Sequence, residues 1–323
     1  MKFYRQAALR IRVRNGTFSG YEDPPLYISN LRVSFSIVKS IAWSTNSAVI
    51  KIWNLSNDHR NLIKDYGDEI TVYAGYAGWP PVPVNQTDGP QILYIGDTQA
   101  VSHVYDFPEI VSVLECGTQE RYLNQRRVSI SFASETPARQ VIQAIADQMG
   151  LPIIQFSNTD NLVYRQGIKF IGMGKDALQI VANKLGLVAD VQDQGLYLYP
   201  KNGTIVQPII PINENTGMIG VPQRFTYRST DLYSPITGQN ILGSNTVGSL
   251  AVRGALAPFV PPSRPTGYKV STTLNPSILP GSQIELTSTH LNYIRGRNKV
   301  LNVRHEGDTY GFQWISQMEV VAT

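Results

Sequence analysis

The chain has 323 residues, a formal net charge of +4 and only 16% charged residues, against roughly 25% in an average soluble domain. No run of lysine or arginine is longer than a pair, so the sequence does not indicate a dedicated nucleic-acid-binding surface. The single cysteine, Cys116, excludes an internal disulfide and favours folding in a cytoplasmic compartment. The low charge indicates extensive burial against other subunits, or a β-rich monomer with Ser, Thr and Asn faces.

The length predicts two or three domains, because a single core seldom grows beyond about 250 to 300 residues. The N-terminal residues 1–14 lack a continuous apolar stretch, and nowhere do about 20 apolar residues run together. We therefore expect neither a signal peptide nor a membrane span.

The first predicted strand carries an arginine face. Leu9, Ile11 and Val13 alternate with arginines, so one face of the strand packs and the other is strongly basic. The basic residues are Arg10, Arg12 and Arg14. We interpret them as a candidate inter-subunit or channel-lining face, and an ordinary solvated strand face is the alternative.

Further strands follow in the first segment, and they predict a β-barrel or sandwich. Their expected bounds are Leu31–Val38, Ala48–Leu55, Ile70–Ala74, Ile92–Asp97 and Ile110–Leu114. Between the second and third of these, a short helix is expected over Asn57–Lys64, with Asn57 or Asp58 as its N-cap.

The middle segment changes to a helical period. After Thr136 as the expected N-cap and Pro137 as the first helical residue, apolar residues recur at helical spacing until Gly150. The same pattern returns from Ala177 and stops at Gly186. Each helix leads into an apolar strand, so we expect two αβ units that form a degenerate internal repeat.

The third segment is again β-rich, with a long insertion rich in Ser, Gly, Asn and Pro near 229–267. Its expected strands are Arg224–Arg228, Tyr268–Leu274, Gln283–Ser288, Val300–His305 and Phe312–Val321. The predicted fold class is thus mainly β with an α+β middle: a β domain over 1–118, an αβ domain over 119–205 and a second β domain over 206–323.

Two proline-rich loops are candidate contacts with partner proteins, because large rigid rings lose little entropy on burial. The candidate residues are Trp79 and Pro81 in one loop and Phe259 and Pro262 in the other. Packing of the loop tips on their own domain is the alternative.

Candidate chemistry is sparse. His305, Glu306 and Asp308 resemble a metal cluster, but in a strand His305 points away from the other two. Gly172–Lys175 precedes a helix but lacks the features of a phosphate loop, since Asp176 follows the lysine, and helix capping is the expected role. Cys116 has no nucleophile context. We expect no catalytic residue, metal or cofactor.

A phrase recurs in altered form at the two ends of the chain. Ile50–Ser56 leads to Gly67-Asp68, and Leu274-Asn275-Pro276 leads to Pro280-Gly281. With these and other short phrases in order, the chain resembles the baseplate hub, or tail-tube initiator, proteins of contractile-tailed phages. The other phrases are Ala74-Gly75-Tyr76, Leu93–Gly96, Gly217–Pro222 and Val303–Trp314.

The resemblance implies a homotrimer in which each subunit supplies two tail-tube-like β domains, giving a pseudo-sixfold ring with a channel for DNA. The implied partners are the tail tube protein, the central spike protein, the tape-measure protein and baseplate wedge proteins. The chain would fold in the host cytoplasm and act in the virion baseplate during genome ejection. The long insertion departs from the family pattern. We expect it to wrap around a neighbouring subunit or tail component.

Two other functions stay open at this point. A carbohydrate- or cell-wall-binding β protein would use Trp79 and Trp314 as platforms for sugar rings. A cell-wall hydrolase is a further alternative, although the sequence singles out no carboxylate pair at a suitable spacing.

Overall fold

The structure is a computed structural model that describes residues 4–13, 25–41, 46–63, 66–77, 89–118, 126–156, 162–193, 195–226, 266–291 and 293–323. Its strands are β1 Tyr4–Arg12, β2 Leu26–Ile28, β3 Val33–Ser40, β4 Ser47–Trp53, β5 Glu69–Ala77, β6 Gln91–Asp106, β7 Glu109–Gly117, β8 Arg127–Phe132, β9 Thr136–Pro137, β10 Ile153–Phe156, β11 Val163–Tyr164, β12 Ile168–Met173, β13 Leu187–Gln192, β14 Gly195–Pro200, β15 Ile210–Ile212, β16 Met218–Thr226, β17 Thr266–Thr273, β18 Gln283–Thr287, β19 Arg295–Asp308 and β20 Trp314–Ala322. Its helices are α1 Asn57–Leu62, α2 Ala138–Met149 and α3 Gly174–Lys184, with a 3₁₀ turn at Glu214–Thr216.

The predicted strands of the first and third segments are confirmed, with shifted ends. β6 and β19 are much longer than expected, at 16 and 14 residues. β6 pairs with β5 over its first half and with β7 over its second half, and β19 pairs with β18 and then β3 along one edge, so each strand continues beyond the end of its first partner. The first strand begins at Tyr4 rather than Leu9 and ends at Arg12.

The first β unit has the pairing order β3-β4-β7-β6-β5-β1, antiparallel throughout. Leu9, Ile11, Ile37 and Ile50 are fully buried in its core, where alternate residues of facing strands meet. The expected packing face of the first strand is thus confirmed, with Val13 partly buried against the same core.

The second β unit repeats this order as β16-β17-β20-β19-β18-β15. Only the last pair differs, because β15 runs parallel to β18 whereas β1 runs antiparallel to β5. Its core contains Val270, Ile284, Val303 and Met318.

Equivalent irregularities show that the two units are copies of one plan. The β6–β7 hairpin has a bulge between Thr98 and Ala100, and the β19–β20 hairpin has one between Val300 and Asn302. Counting from these bulges makes His103 equivalent to His305. The phrase that recurs in the sequence begins within β4 in one unit and directly after β17 in the other.

The two units are joined edge to edge. β3 pairs antiparallel with β19, from Asn302 opposite Ser40 to Asp308 opposite Ser34. All strands of both units therefore belong to one 13-stranded sheet within the described residues. The expected flanking β domains share a continuous sheet that their separate positions in the sequence did not reveal.

The middle segment forms the expected helix-strand units. α2 and α3 pack over the antiparallel β8–β12 pair, and β10 and β13 both pair with β14. Val141, Ile145, Leu178 and Val181 are fully buried between these elements. Gly150 ends α2 with a left-handed φ of 75°, a conformation that glycine adopts without steric cost.

The expected helix caps were wrong by about one residue. Ser56, not Asn57 or Asp58, caps α1, and its hydroxyl accepts from the His59 N–H. Pro137 precedes α2 as its N-cap, while the Thr136 hydroxyl donates to the Ala133 carbonyl. The observed cap lies upstream of the expected residues in α1 and one residue downstream of the expected one in α2.

Asp176 likewise lies in the first turn of α3 and makes no capping hydrogen bond with its side chain. The N-cap position is taken by Met173, which leaves strand β12 in an extended conformation. A carboxylate in the first turn still interacts favourably with the positive end of the helix dipole.

Candidate assembly surfaces

The arginine face lies on the side of the sheet that turns away from the core. Arg10 is opposite Tyr27 and Thr71, and Arg12 is opposite Glu69. The Arg12 guanidinium is 3.4 Å from the Glu69 carboxylate, so part of the basic charge is neutralised by the neighbouring strand. Arg14 lies outside the described residues.

The same sheet face carries further ion pairs across both β units. Lys269 Nζ is 3.0 Å from Glu319 Oε1, and Arg304 is paired with Glu306 at 2.6 Å. Because directly opposite residues share a face, the register from β1 to β17 places these pairs on the side of Arg12. Ion pairs therefore offset the charges of Arg12, Lys269 and Arg304 on this face, which is less basic than the first strand alone predicted.

Arg32 adds a pair at the end of the sheet, in bidentate contact with Asp308 at 2.9 and 3.2 Å. The guanidinium also stacks 4.2 Å from the centre of the Trp53 ring. The hydrogen bonds from Arg32, Tyr310 and Gly311 outweigh partial burial and lower the pKa of Asp308.

A buried polar cluster fastens the middle segment to both β units. Lys39 and Asp193 are in direct contact, and their side chains are 0% and 7% exposed. The other Asp193 oxygen accepts from the Ile95 N–H at 3.1 Å. Gln192 accepts from Asn46 at 2.8 Å and donates to the carboxylate of Asp190.

Burial shifts the pKa values of two charged groups in and beside this cluster. Desolvation raises the pKa of Asp190 to about 7 and lowers the pKa of Lys299 to about 8. The Lys299 ammonium donates to the Lys201 carbonyl at 3.3 Å and lies over the Tyr199 ring. Sequence reasoning missed this cluster, although Lys39 stands at the alternate position after the buried Val33, Phe35 and Ile37.

Two hairpin tips expose aromatic side chains at the same end of the sheet. Phe107, at the β6–β7 tip, is 97% exposed, and Phe312, at the β19–β20 tip, is 100% exposed. Tyr105 and Tyr310 precede them by two residues and are also exposed. In the sequence, each tip is marked by a Tyr-x-Phe pattern at the turn between two runs of alternating apolar and polar residues.

The proline-rich loops chosen from the sequence cannot be compared with these tips. Trp79, Pro81, Phe259 and Pro262 all lie outside the described residues, as do residues 229–265 of the insertion expected near 229–267.

The residues considered for chemistry are occupied by structural contacts. His305 is fully buried, with its Nδ1 2.8 Å from Ser316 Oγ, while Glu306 and Asp308 pair with arginines on the other face. No group of three or more His, Cys, Asp or Glu side chains within the described part of the chain has the arrangement of a metal site. Burial raises the pKa of the Cys116 thiol, which leaves it protonated.

Trp314 was expected to serve as a sugar platform in one alternative, and that expectation was wrong. Its side chain is 2% exposed and packs edge-on against Phe35, with ring centres 5.6 Å apart. The indole fills the junction of the two β units because the alternation of β20 turns it toward the core.

No helix among the described residues is both long and apolar enough to cross a bilayer.

Solved structures with a similar fold include tail proteins and a type VI secretion component. A tail protein from Neisseria meningitidis MC58 superposes with a TM-score of 0.58 at 11% identity, covering 98% of this chain and 96% of that chain. The 43 kDa tail protein of prophage MuSo2 from Shewanella oneidensis gives 0.59 at 11% identity, covering 98% of both chains. The Escherichia coli c3393 protein, a type VI secretion component described as similar to T4 bacteriophage tail proteins gp27 and gp5, gives 0.53 at 9% identity, covering 97% and 76%.

No curated protein matches the chain in sequence. The family model of baseplate hub gp41, however, matches residues 17–227, which is well over half of the chain. This chain therefore belongs to the baseplate hub gp41 family and is a structural component of the phage tail baseplate.

Proposed function

We propose that three copies of this chain form a hub whose six β units make a pseudo-sixfold ring, joining the central spike to the tail tube. The observation that carries the proposal is the duplication: two β units of one plan, joined edge to edge through β3 and β19. A chain with two equivalent units can offer threefold symmetry to one partner and near-sixfold symmetry to another.

The ring would leave a channel for DNA, and the ion-paired sheet face is the surface we assign to its lining. Paired charges such as Arg12–Glu69 and Lys269–Glu319 reduce the attraction for phosphate that an unpaired basic face would have. Such a lining suits passage rather than retention of a polyanion.

The two aromatic hairpin tips are the surfaces we assign to contact with the tube. In a trimer, Phe107 and Phe312 would present six exposed rings at one end of the ring. Tape-measure protein within the lumen and wedge proteins at the periphery complete the proposed contacts, with folding and assembly in the host cytoplasm and action in genome ejection. We propose no catalytic step.

The proposal is tested by the solution mass of the purified chain, measured by light scattering over a range of concentrations. We expect three times the 35.9 kDa of one chain. A monomer at all concentrations would count against the hub and would direct attention to binding of cell-wall glycans, with Trp79→Ala as the discriminating variant.

A further inference from the structure

The two-stranded β8–β12 sheet of the middle segment has one covered face and one exposed face. α2 and α3 pack on the face that carries Val128, Ile130 and Phe170. Ile171, on the other face, is 72% exposed. That face holds three cross-strand pairs with no acidic residue among them: Lys169 with Ser131, Ile171 with Ser129 and Met173 with Arg127. The exposed face is therefore apolar in the middle and basic towards both ends.

The outer edge of β8 is occupied by a side chain. The Ser129 N–H donates to Oε1 of Gln148 at 2.8 Å, and Nε2 of Gln148 donates to the Ser129 carbonyl at 3.0 Å. The amide of this α2 residue thus makes the two hydrogen bonds that a residue of a third strand would make. It closes β8 to further pairing at that point.

The outer edge of β12 has no such partner. Because Ser129 turns its backbone groups away from β12, Ile171 opposite it also turns its N–H and carbonyl outward. Lys169, two residues earlier, does the same. Within the described ranges neither residue makes a hydrogen bond on that side, and β12 pairs with β8 alone. We call these outward groups of Lys169 and Ile171 the β12 edge.

Basic side chains surround the β12 edge. Lys169, Arg127 and the preceding Arg126 are exposed, and in the part of the chain that the structure describes none of them has an ion-pair partner. By contrast, Arg12 and Lys269 on the large sheet each contact a carboxylate. Unpaired cations beside unpaired backbone groups favour an extended partner that carries carboxylates.

We propose that the β12 edge binds an extended acidic segment of another tail protein, which adds to the β8–β12 sheet as a third, antiparallel strand. This guest strand would set a carboxylate opposite Lys169 and an apolar residue opposite Ile171. A second carboxylate would lie opposite Met173, next to Arg127. Backbone hydrogen bonds supply the affinity of such a contact, and alternate side chains supply its selectivity. The proposal does not depend on how many copies of the chain assemble.

A second copy of the chain does not fit this edge. The strands that end the two larger sheets include β2, β10 and β16, and none of these three contains an acidic residue. β13 contains Asp190, which is buried. Lysine on a strand edge also discourages pairing with an identical strand, since like charges would meet.

A designed peptide tests the proposal on the full chain. The probe is a fluorescent peptide with the repeat Glu-Thr-Val-Thr, which places glutamate and valine on one face and threonine on the other. The matched control has lysine in place of glutamate. Fluorescence anisotropy should show that the acidic peptide binds about tenfold more tightly, and the difference should shrink as salt rises.

A proline at the β12 edge tests the backbone contact. Ile171→Pro removes an outward N–H and leaves the β8 ladder intact, and proline is tolerated at such edge positions. The unfolding midpoint, checked first, should therefore change little, while affinity for the acidic peptide should fall about tenfold. Ile171→Val keeps the N–H and should bind as the parent does.

Charge reversal tests the selectivity. Lys169→Glu with Arg127→Glu should make the chain prefer the lysine peptide over the acidic one. The matched control is Lys51→Glu, at an exposed lysine of β4, and it should leave the preference unchanged.

Methylated peptides test the pairing without altering the protein. N-methyl groups on glutamate and valine remove the donors that would face β12, whereas those on threonine lie on the outer side of the guest strand. The first set should abolish binding and the second should not. No binding of the acidic peptide, equal binding of the acidic and lysine peptides, or equal effects of the two methylated sets would overturn the proposal. So would unchanged affinity in a folded Ile171→Pro chain. These results are independent of the solution mass that tests the hub.

Discussion

Lys39 of β3 and Asp193 of the turn after β13 form a buried ion pair that ties the middle segment to the first β unit. The two residues are 154 positions apart in sequence, and both are almost completely removed from solvent. Since the Asp193 carboxylate also accepts from the Ile95 N–H, the pair fixes the orientation of the middle segment against β6 as well.

Breaking this pair should destabilise the chain strongly. Lys39→Met leaves Asp193 as a buried carboxylate without its cation, which typically costs about 3 to 5 kcal/mol. Denaturant unfolding measures the change. Lys39→Met with Asp193→Leu removes both charges and should recover most of the loss.

Lys269→Ala is the matched control, because that lysine side chain is 57% exposed in its pair with Glu319. Its cost should stay below about 1 kcal/mol. If the control lowered the unfolding free energy as much as Lys39→Met, burial of the Lys39–Asp193 pair would not be the cause of the loss.

Asp190 should make the unfolding free energy depend on pH. Its pKa of about 7 in the folded chain lies above the ordinary value of 3.8. Between those values the folded chain keeps a proton that the unfolded chain releases, so this residue's contribution is largest in acid and falls as pH rises to 7. The fall is at most about 4 kcal/mol.

Asp190→Asn should remove that part of the slope, seen as the difference between variant and parent in urea unfolding from pH 4 to 7.5. Glu285→Gln, an exposed carboxylate on β18, serves as the control and should leave the slope unchanged. Parallel curves for parent and Asp190→Asn would refute the assignment.

The strands were predictable from alternation, and their pairing was not. Val33, Phe35 and Ile37 alternate with serines, which defines β3 and its buried face from sequence alone. That the same strand pairs with β19, some 270 residues away, has no local signal, because pairing depends on register between distant edges.

The duplication of the β units was partly predictable from the sequence, because turn residues act locally. Asn54 and Asn275 mark the chain reversals after β4 and β17, and turn chemistry of this kind can be recognised locally. The bulges near Thr98 and Val300 leave no clear pattern, so the equivalence of His103 and His305 required the registers.

Reversing the charge of Arg12 tests the assignment of the sheet face. Arg12→Glu sets two carboxylates opposite each other at Glu69 and should cost about 1 kcal/mol in stability. If the face lines the channel, phage carrying the variant should assemble normal trimers but eject DNA with altered efficiency. The swapped pair, Arg12→Glu with Glu69→Arg, should restore ejection, and unchanged infectivity of Arg12→Glu would argue against a channel-lining role.

The aromatic tips should matter for tube attachment and not for folding. Phe107→Ser with Phe312→Ser removes two almost fully exposed rings, so the unfolding midpoint and the trimer mass should not change. Loss of tube growth from the purified hub, measured by sedimentation with tail tube protein, is the expected result.

The control for the tips is Tyr293→Ser, a 67% exposed aromatic at the opposite end of β19. Normal tube growth by the double phenylalanine variant, or equal loss in the control, would show that the tips are not the docking surface.

Electron microscopy of the purified chain with image averaging can show whether three chains close into one ring of six β units. We expect ring-shaped particles with a central hole, threefold symmetry and six similar β lobes around the channel. Compact single-chain particles, or open filaments without a closed ring, would contradict it.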